Sequence, residues 1–255
     1  MLNDISASLY SEAKTRFATP RIIVENFLNP LFILFIFGIA INNVFGKVKL
    51  DELEVPYLVY FLSGAINIAL ITNCVVASTR MFLDKYIGTI DYYFTYPISR
   101  TSILIGRLLF HIALSFVQIF FMTIFVKSLN MEYIQLDYKF ILFVIITITN
   151  SIGWFCILIY FSLMIKTQDG FNVMYYLLMT PVLYLSSAYY PISNFILPLR
   201  IISALNPLTW SIDISRVLVL NDTDDFLLLK IILSILFAVI PFLIVCYKLV
   251  NWTKD

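Results

Sequence analysis

Six stretches of this chain carry almost no charge and are each long enough to cross a bilayer, which constrains its fold more than any other feature. They cover roughly residues 27–45, 55–79, 103–126, 140–165, 171–190 and 226–250. A crossing needs ~20 mainly apolar residues to traverse ~30 Å of hydrocarbon. Backbone N–H and C=O groups in lipid must be satisfied within the segment, so each stretch is expected as a helix. Runs such as LFILFIFGIAI at 31–41 are apolar all round and lack the alternation of a membrane β-barrel. Composition agrees: 13% of the residues are charged and 61% hydrophobic, against ~25% charged in a soluble domain. A net charge of +1 leaves no basic footprint for nucleic acid. The expectation is an all-α, polytopic membrane protein, one transmembrane domain over residues 1–255.

Lysine and arginine placement sets the expected orientation. With the N-terminus inside, 10 of the 17 fall on the cytoplasmic side, among them Arg80, Lys85, Arg100 and Arg107, and 7 fall outside. Six crossings then leave both termini in the cytoplasm. Before the first crossing, residues 1–20 carry Ile5, Leu9, Ala13 and Phe17 on one stripe, and Pro20 closes the segment. An amphipathic helix lying in the inner interface is expected there. The same N-terminal residues lack the short apolar core of a cleaved signal peptide.

Two connecting segments are neither solvated linkers nor crossings. Residues 80–102 mix Met81, Phe82, Tyr86, Ile90 and Phe94 with Asp84, Lys85, Asp91 and Arg100, so a short half-buried helix is expected, bent at Gly88 and closed by Pro97. Residues 191–225 hold two apolar pieces, around Phe195–Leu205 and Leu208–Leu220, interrupted by Pro191, Pro198 and Pro207. These read as a re-entrant helical pair at the outer face before the last crossing.

Missing chemistry narrows the function. The chain has no GxxxxGK[ST] phosphate loop, no GxSxG elbow and a single histidine, His111. Cys74, Cys156 and Cys246 lie in separate apolar stretches and read as buried thiols. Ionisable residues are absent from the middle of all six stretches, whereas ion-coupled carriers keep them there for use. Glu25, Arg107 and Lys248 fall near the ends, where they can snorkel. Any transport therefore either draws its energy from outside the chain or needs none. Uncharged polar residues do occur: Ser63, Asn67, Cys74 and Ser78 on one face of the second stretch, and Asn172 and Thr180 in the fifth. Such residues either pack helices together or line an amphipathic path.

The motif GTIDYYFTYPISRTSILIGRLL at 88–109 resembles the type-2 class of ABC exporter permeases. In that family a Gly-Thr-Leu-Glu stretch is followed by Pro-Val-Ser-Arg and then Gly-Lys or Gly-Arg. Here these are Gly88-Thr89-Ile90-Asp91, Pro97-Ile98-Ser99-Arg100 and Gly106-Arg107. A second match is Pro191, Leu197-Pro198, Asn206-Pro207-Leu208-Thr209, Asp213 and Arg216. The resemblance is nearest the drug and antibiotic efflux branch, with lipid-linked polysaccharide exporters as the alternative within the class. It implies two permease chains, identical or related, above two ATP-binding subunits, in the plasma membrane. ATP and Mg2+ would be held by those partners, so this chain would be no enzyme and bind no cofactor. It further implies coupling to the ATPase through Asp84, Gly88, Asp91, Pro97 and Arg100. The substrate path would involve Ser63, Asn67, Cys74, Asn172 and Thr180. The outer gate would comprise Pro191, Pro198, Asn206, Pro207, Asp213 and Arg216. An energy-independent channel, an ion-coupled carrier and a non-transporting scaffold are the competing classes; an ATPase partner or its absence separates them.

Overall fold

A computed structural model describes residues 2–18, 24–40, 46–50, 53–93, 95, 99–129, 137–192, 195–220 and 223–251. Pro20 and Pro97 lie outside the described residues. Helix dominates. Helix α1 spans Leu2–Phe17, and α2 runs through Val24–Leu28, Asn29–Ile33 and Leu34–Ala40, mostly in wide π-helical turns. Strands β1 (Lys47–Leu50) and β2 (Leu53–Pro56) follow, then α3 (Tyr57–Tyr86) and the short α4 (Thr89–Tyr93). The remainder comprises α5 (Arg100–Ser128), α6 (Tyr138–Met164), α7 (Gln168–Tyr184), α8 (Leu197–Leu205), α9 (Pro207–Leu220) and α10 (Leu227–Val250).

Four helices, α3, α5, α6 and α10, are long and apolar enough to cross a membrane. The second and third stretches extend beyond their expected bounds. Helix α3 continues seven residues past 79, and α5 starts at Arg100 rather than 103. Helix α7 has 17 residues and stops at Tyr184 instead of 190, three residues after its internal Pro181. The segment expected to span 27–45 is described as helix only to Ala40, and residues 41–45 lie outside the description.

The two strands also depart from the all-helical expectation. They pair antiparallel with Val48 opposite Val55 and Lys49 opposite Glu54. The alternation in KVKL and LEVP suits a pleated ladder, and the hairpin stands directly before Tyr57, whose N–H donates to Gly46 O at 3.2 Å.

Sequence chemistry sets the helix ends. Ser99 caps α5 by accepting from Ser102 N–H, Asp137 caps α6 through Lys139 N–H, and Thr167 caps α7 through Gly170 N–H. Past the end of α3, Gly88 adopts φ +85, a left-handed conformation that costs glycine nothing. Lys85 donates to the carbonyls of Leu163 and Ile165, giving the orphan C-terminal carbonyls of α6 a cationic partner.

Helix α6 is central, packed against α3, α5, α9 and α10. Helix α3 is sheathed by its neighbours, with 83% of its most apolar window buried, whereas α10 is 17% buried there. Leu228, Ile232, Leu236, Ile240 and Leu243 of α10 are all exposed. Water would penalise that leucine and isoleucine surface, but lipid does not.

Polar side chains join the helices where the backbone bonds cannot. Asn67 Oδ1 accepts from Ser211 Oγ at 2.6 Å, and Ser215 Oγ lies within 3.5 Å of both Asn67 Nδ2 and Thr147 Oγ1. Gln118 accepts from Asn73 Nδ2 and donates to Asn26 O at 2.6 Å, tying α3, α5 and α2. Asn150 Nδ2 donates to Pro207 O at 3.0 Å and lies 3.4 Å from Ser234 Oγ. The α8–α9 turn therefore reaches partway along α6 and α10 before α9 runs back towards the hairpin end.

Candidate functional site

Charge gathers at two ends of the bundle. At the α1 end, Arg107 stands at the centre. Glycine at 106 lets α1 lie against α5: a Cβ there would fall 2.9 Å from Leu9 N and closer still to Ser8. Ser8 Oγ then donates to Ile103 O at 3.2 Å. This close approach brings Glu12 and Arg16 inward, so the buried face of α1 is polar. Arg16 and Glu12 are 3% and 9% exposed, while Phe17, on the apolar stripe, is 60% exposed.

The chain thus builds a linear ion network. Arg16 Nε donates to Glu12 Oε1 at 2.8 Å, Arg107 Nε lies 3.7 Å from Glu12 Oε2, and Arg107 Nη2 pairs with Asp84 Oδ2 of α3. Burial on its own would raise the Glu12 carboxyl, but Arg107 and then Arg16 outweigh it, and the net displacement is downward. Arg107 does not snorkel as a residue near a span end was expected to; it is 8% exposed and ion-paired on both sides. A cavity of about 510 Å3 opens beside this network, between α1, α3 and α5.

Of the residues expected to couple to an ATPase, Asp84 belongs to this network. Gly88 forms the bend before α4, and Asp91 lies on α4 itself. Arg100 reaches across to the last carbonyls of α10, Leu249 O at 3.5 Å and Val250 O at 3.3 Å, a cation at a helix C-terminus. Pro97 lies outside the described residues. Glu12 and Arg16 were not singled out in the sequence; their i,i+4 spacing was legible, but no local pattern marks Arg107 as the second partner of Glu12.

At the hairpin end, Asp213 and Arg216 of α9 meet two residues the sequence did not flag, Lys230 and Asp224. Lys230 Nζ donates to Asp213 Oδ2 at 2.7 Å and to Asp224 Oδ2, and Ser187 Oγ donates to Asp213 Oδ1 at 2.9 Å. Arg216 donates to Ser187 O at 2.6 Å, lies 3.6 Å from Asp213 Oδ1, and stacks 3.8 Å above the Tyr60 ring. A cavity of about 370 Å3 adjoins the group, and Pro191 lines it. Asn206 fixes the α8–α9 turn: its Nδ2 donates to Val182 O at 2.7 Å and its Oδ1 accepts from Leu208 N–H, capping α9 before Pro207. Pro198 opens α8 in its first turn.

The polar residues expected along a substrate path divide between two environments. Ser63, Asn67 and Cys74 are buried inside the chain, hydrogen-bonded to Tyr60 O, to Ser63 O and Ser211, and to Leu70 O. Asn172 and Thr180 lie on the exposed face of α7 together with Tyr176 and Leu177. His111 is buried, 3.1 Å from Ser151 Oγ and stacked on Phe155, a packed helix residue.

A helical bundle with a lipid-compatible exterior, its described ion pairs gathered at its two ends, fits a membrane-embedded protein. A family profile described as ABC-2 type transporter matches residues 3–220, and the chain belongs to that family. Such chains are membrane permease components of ABC transporters, and they work with an ATP-binding subunit. Among similar proteins is one from Cyanophora paradoxa named as a transport permease, ycf38, 29% identical over 216 residues, covering 82% of this chain and 71% of its own length. Its namesake from Porphyra purpurea is 26% identical over 210 residues, covering 81% and 70%.

Proposed function

We propose that this chain is the membrane-spanning subunit of an ATP-driven exporter that moves an amphipathic compound of the drug, antibiotic or lipid-like kind out of the cytoplasm or its facing leaflet. Six crossings with both termini in the cytoplasm follow if α2 and α7 complete the four long helices, and α8–α9 then dips into the outer leaflet. Two such permeases would pair above two ATP-binding subunits in the plasma membrane. In that arrangement the α1 end faces the ATPase.

The observation that carries this reading is the Arg107 junction. Arg107 binds Glu12 on the interface helix and Asp84 on α3, and it belongs to α5. A push on α1 or α4 therefore cannot remain local; it moves two long helices together. ATP can bias such an assembly only if the nucleotide-bound partner contacts its two states differently. The segment from Asp84 through Gly88 and Asp91 to Arg100 supplies that contact. At the opposite end, Asp213, Arg216 and Lys230 hold α9 to α10 as the outer gate, with Pro191, Pro198, Asn206 and Pro207 setting its bends. Exposed Asn172 and Thr180 face the path between paired chains, whereas the hydrogen bonds of Ser63, Asn67 and Cys74 favour helix packing.

Reconstitution with the ATP-binding partner tests the proposal. The double variant Asp84→Asn, Asp91→Asn should keep ATP hydrolysis while transport falls to background. Wild-type transport in that variant would remove the coupling role, and transport persisting without any ATPase would remove the exporter reading.

A further inference from the structure

The cavity at the α1 end has an uncommitted cation. Four charged side chains line it, Glu12, Arg80, Asp84 and Arg107. Both carboxylates are already taken, by Arg16 and Arg107. Arg80 is half-buried and takes part in no ion pair or hydrogen bond among the described residues; Glu12 and Asp84 reach it only through their longer-range field. With Arg16 behind Glu12, three guanidiniums meet two carboxylates.

The remaining wall is mixed. Ala7, Leu83, Ile87 and Ile103 supply an apolar surface, and the hydroxyls of Ser11 and Thr15 line the α1 side. Ile87 is 74% exposed at the rim. A half-buried unpaired arginine is costly unless a counter-charge arrives, and guanidinium suits phosphate oxygens. The apolar rim suits the acyl part of the same molecule.

We infer that this cavity is a binding site for a phosphate-bearing anionic amphiphile, with Arg80 as the residue that pairs with the phosphate. Its natural source is the headgroup of an anionic phospholipid, since the cavity lies under the helix assigned to the interface, where basic pockets meet such headgroups. The placement rests on the interface reading of α1, but the binding itself requires neither an ATPase nor transport.

Native mass spectrometry of the full chain in neutral detergent, offered equal phosphatidylglycerol and phosphatidylcholine, gives the test. Wild type should retain one phosphatidylglycerol with a preference of about five-fold over phosphatidylcholine, the contribution of one arginine near a membrane surface. Arg80→Gln should bring the two lipids to parity. Ala7→Trp, which fills the cavity and leaves every charge in place, should do the same and carries the test if the arginine variant fails to insert. Displacement of the lipid by millimolar inorganic phosphate would assign the site to a soluble phosphate compound; retention would assign it to the headgroup. Equal retention of both lipids by wild type overturns the inference, as does a preference that survives in both variants or that Arg200→Gln at the other end abolishes equally.

Discussion

The two charged ends of the bundle use the same residue types to opposite effect. At the hairpin end, Asp213, Asp224, Arg216 and Lys230 form one bonded cluster with Arg200 on the same cavity wall, and Arg216 is further held by the Tyr60 ring and Ser187 O. At the α1 end, Arg16, Glu12, Arg107 and Asp84 are joined in a line with Arg80 beside them, and the pairs border a larger cavity. A multiply bonded cluster resists rearrangement, because loss of any partner strands a buried charge. A line of single pairs beside an open cavity has fewer bonds per charge and can exchange partners. The first end is built as a latch and the second as a joint.

Breaking the latch should have the largest effect. Arg216→Met removes three interactions at once, and although Lys230 remains on Asp213, a loss of about 3 kcal/mol is expected. Thermal denaturation in detergent should show a markedly lower midpoint, or no folded yield. A midpoint unchanged from wild type would erase the distinction between the two ends.

Arg107→Met should cost less, about 1–2 kcal/mol, since Glu12 keeps Arg16 at 2.8 Å and Asp84, 29% exposed, can be hydrated. Its signature should be local. Hydrogen exchange should accelerate in α1 and the end of α3 but not in α9. Equal acceleration at both ends would show the bundle to be one cooperative unit.

The smallest effect sharpens the comparison through pH. Glu12 is held below the ordinary glutamate value of about 4.3, so its contribution is fully present above that pH and is lost as pH falls through the depressed value. Protease sensitivity of α1 should therefore rise only in acid below about pH 4, and Glu12→Gln should remove the step. A step that persists in Glu12→Gln would assign it to another group.

Much of the fold was legible in advance because lipid leaves the backbone few options. A long uncharged stretch must form its own hydrogen bonds, so helices α3, α5, α6 and α10 follow from apolar length alone. The paired pieces around Phe195–Leu205 and Leu208–Leu220 appeared as α8 and α9 because proline and Asn206 mark their limits in the chain. The hairpin at 47–56 was missed, since four-residue strands give too short an alternation to stand out beside the apolar runs flanking them. The stripe on α1 left a different question open. Periodicity identifies a face, but not which face a neighbour takes, and Gly106 allowed the polar side of α1 to approach Arg107.

By itself, then, the sequence determined what each segment could become: helix wherever lipid forbids an unsatisfied backbone, with a bend at Gly88 and helix starts at Pro198 and Pro207. Tertiary structure decided which charges meet between helices. Glu12 and Arg107 are far apart along the chain, as are Ser187 and Arg216 or Asp213 and Lys230. Pairing in a low-dielectric interior depends on distance and burial after the helices have packed, and neither quantity is carried by local sequence.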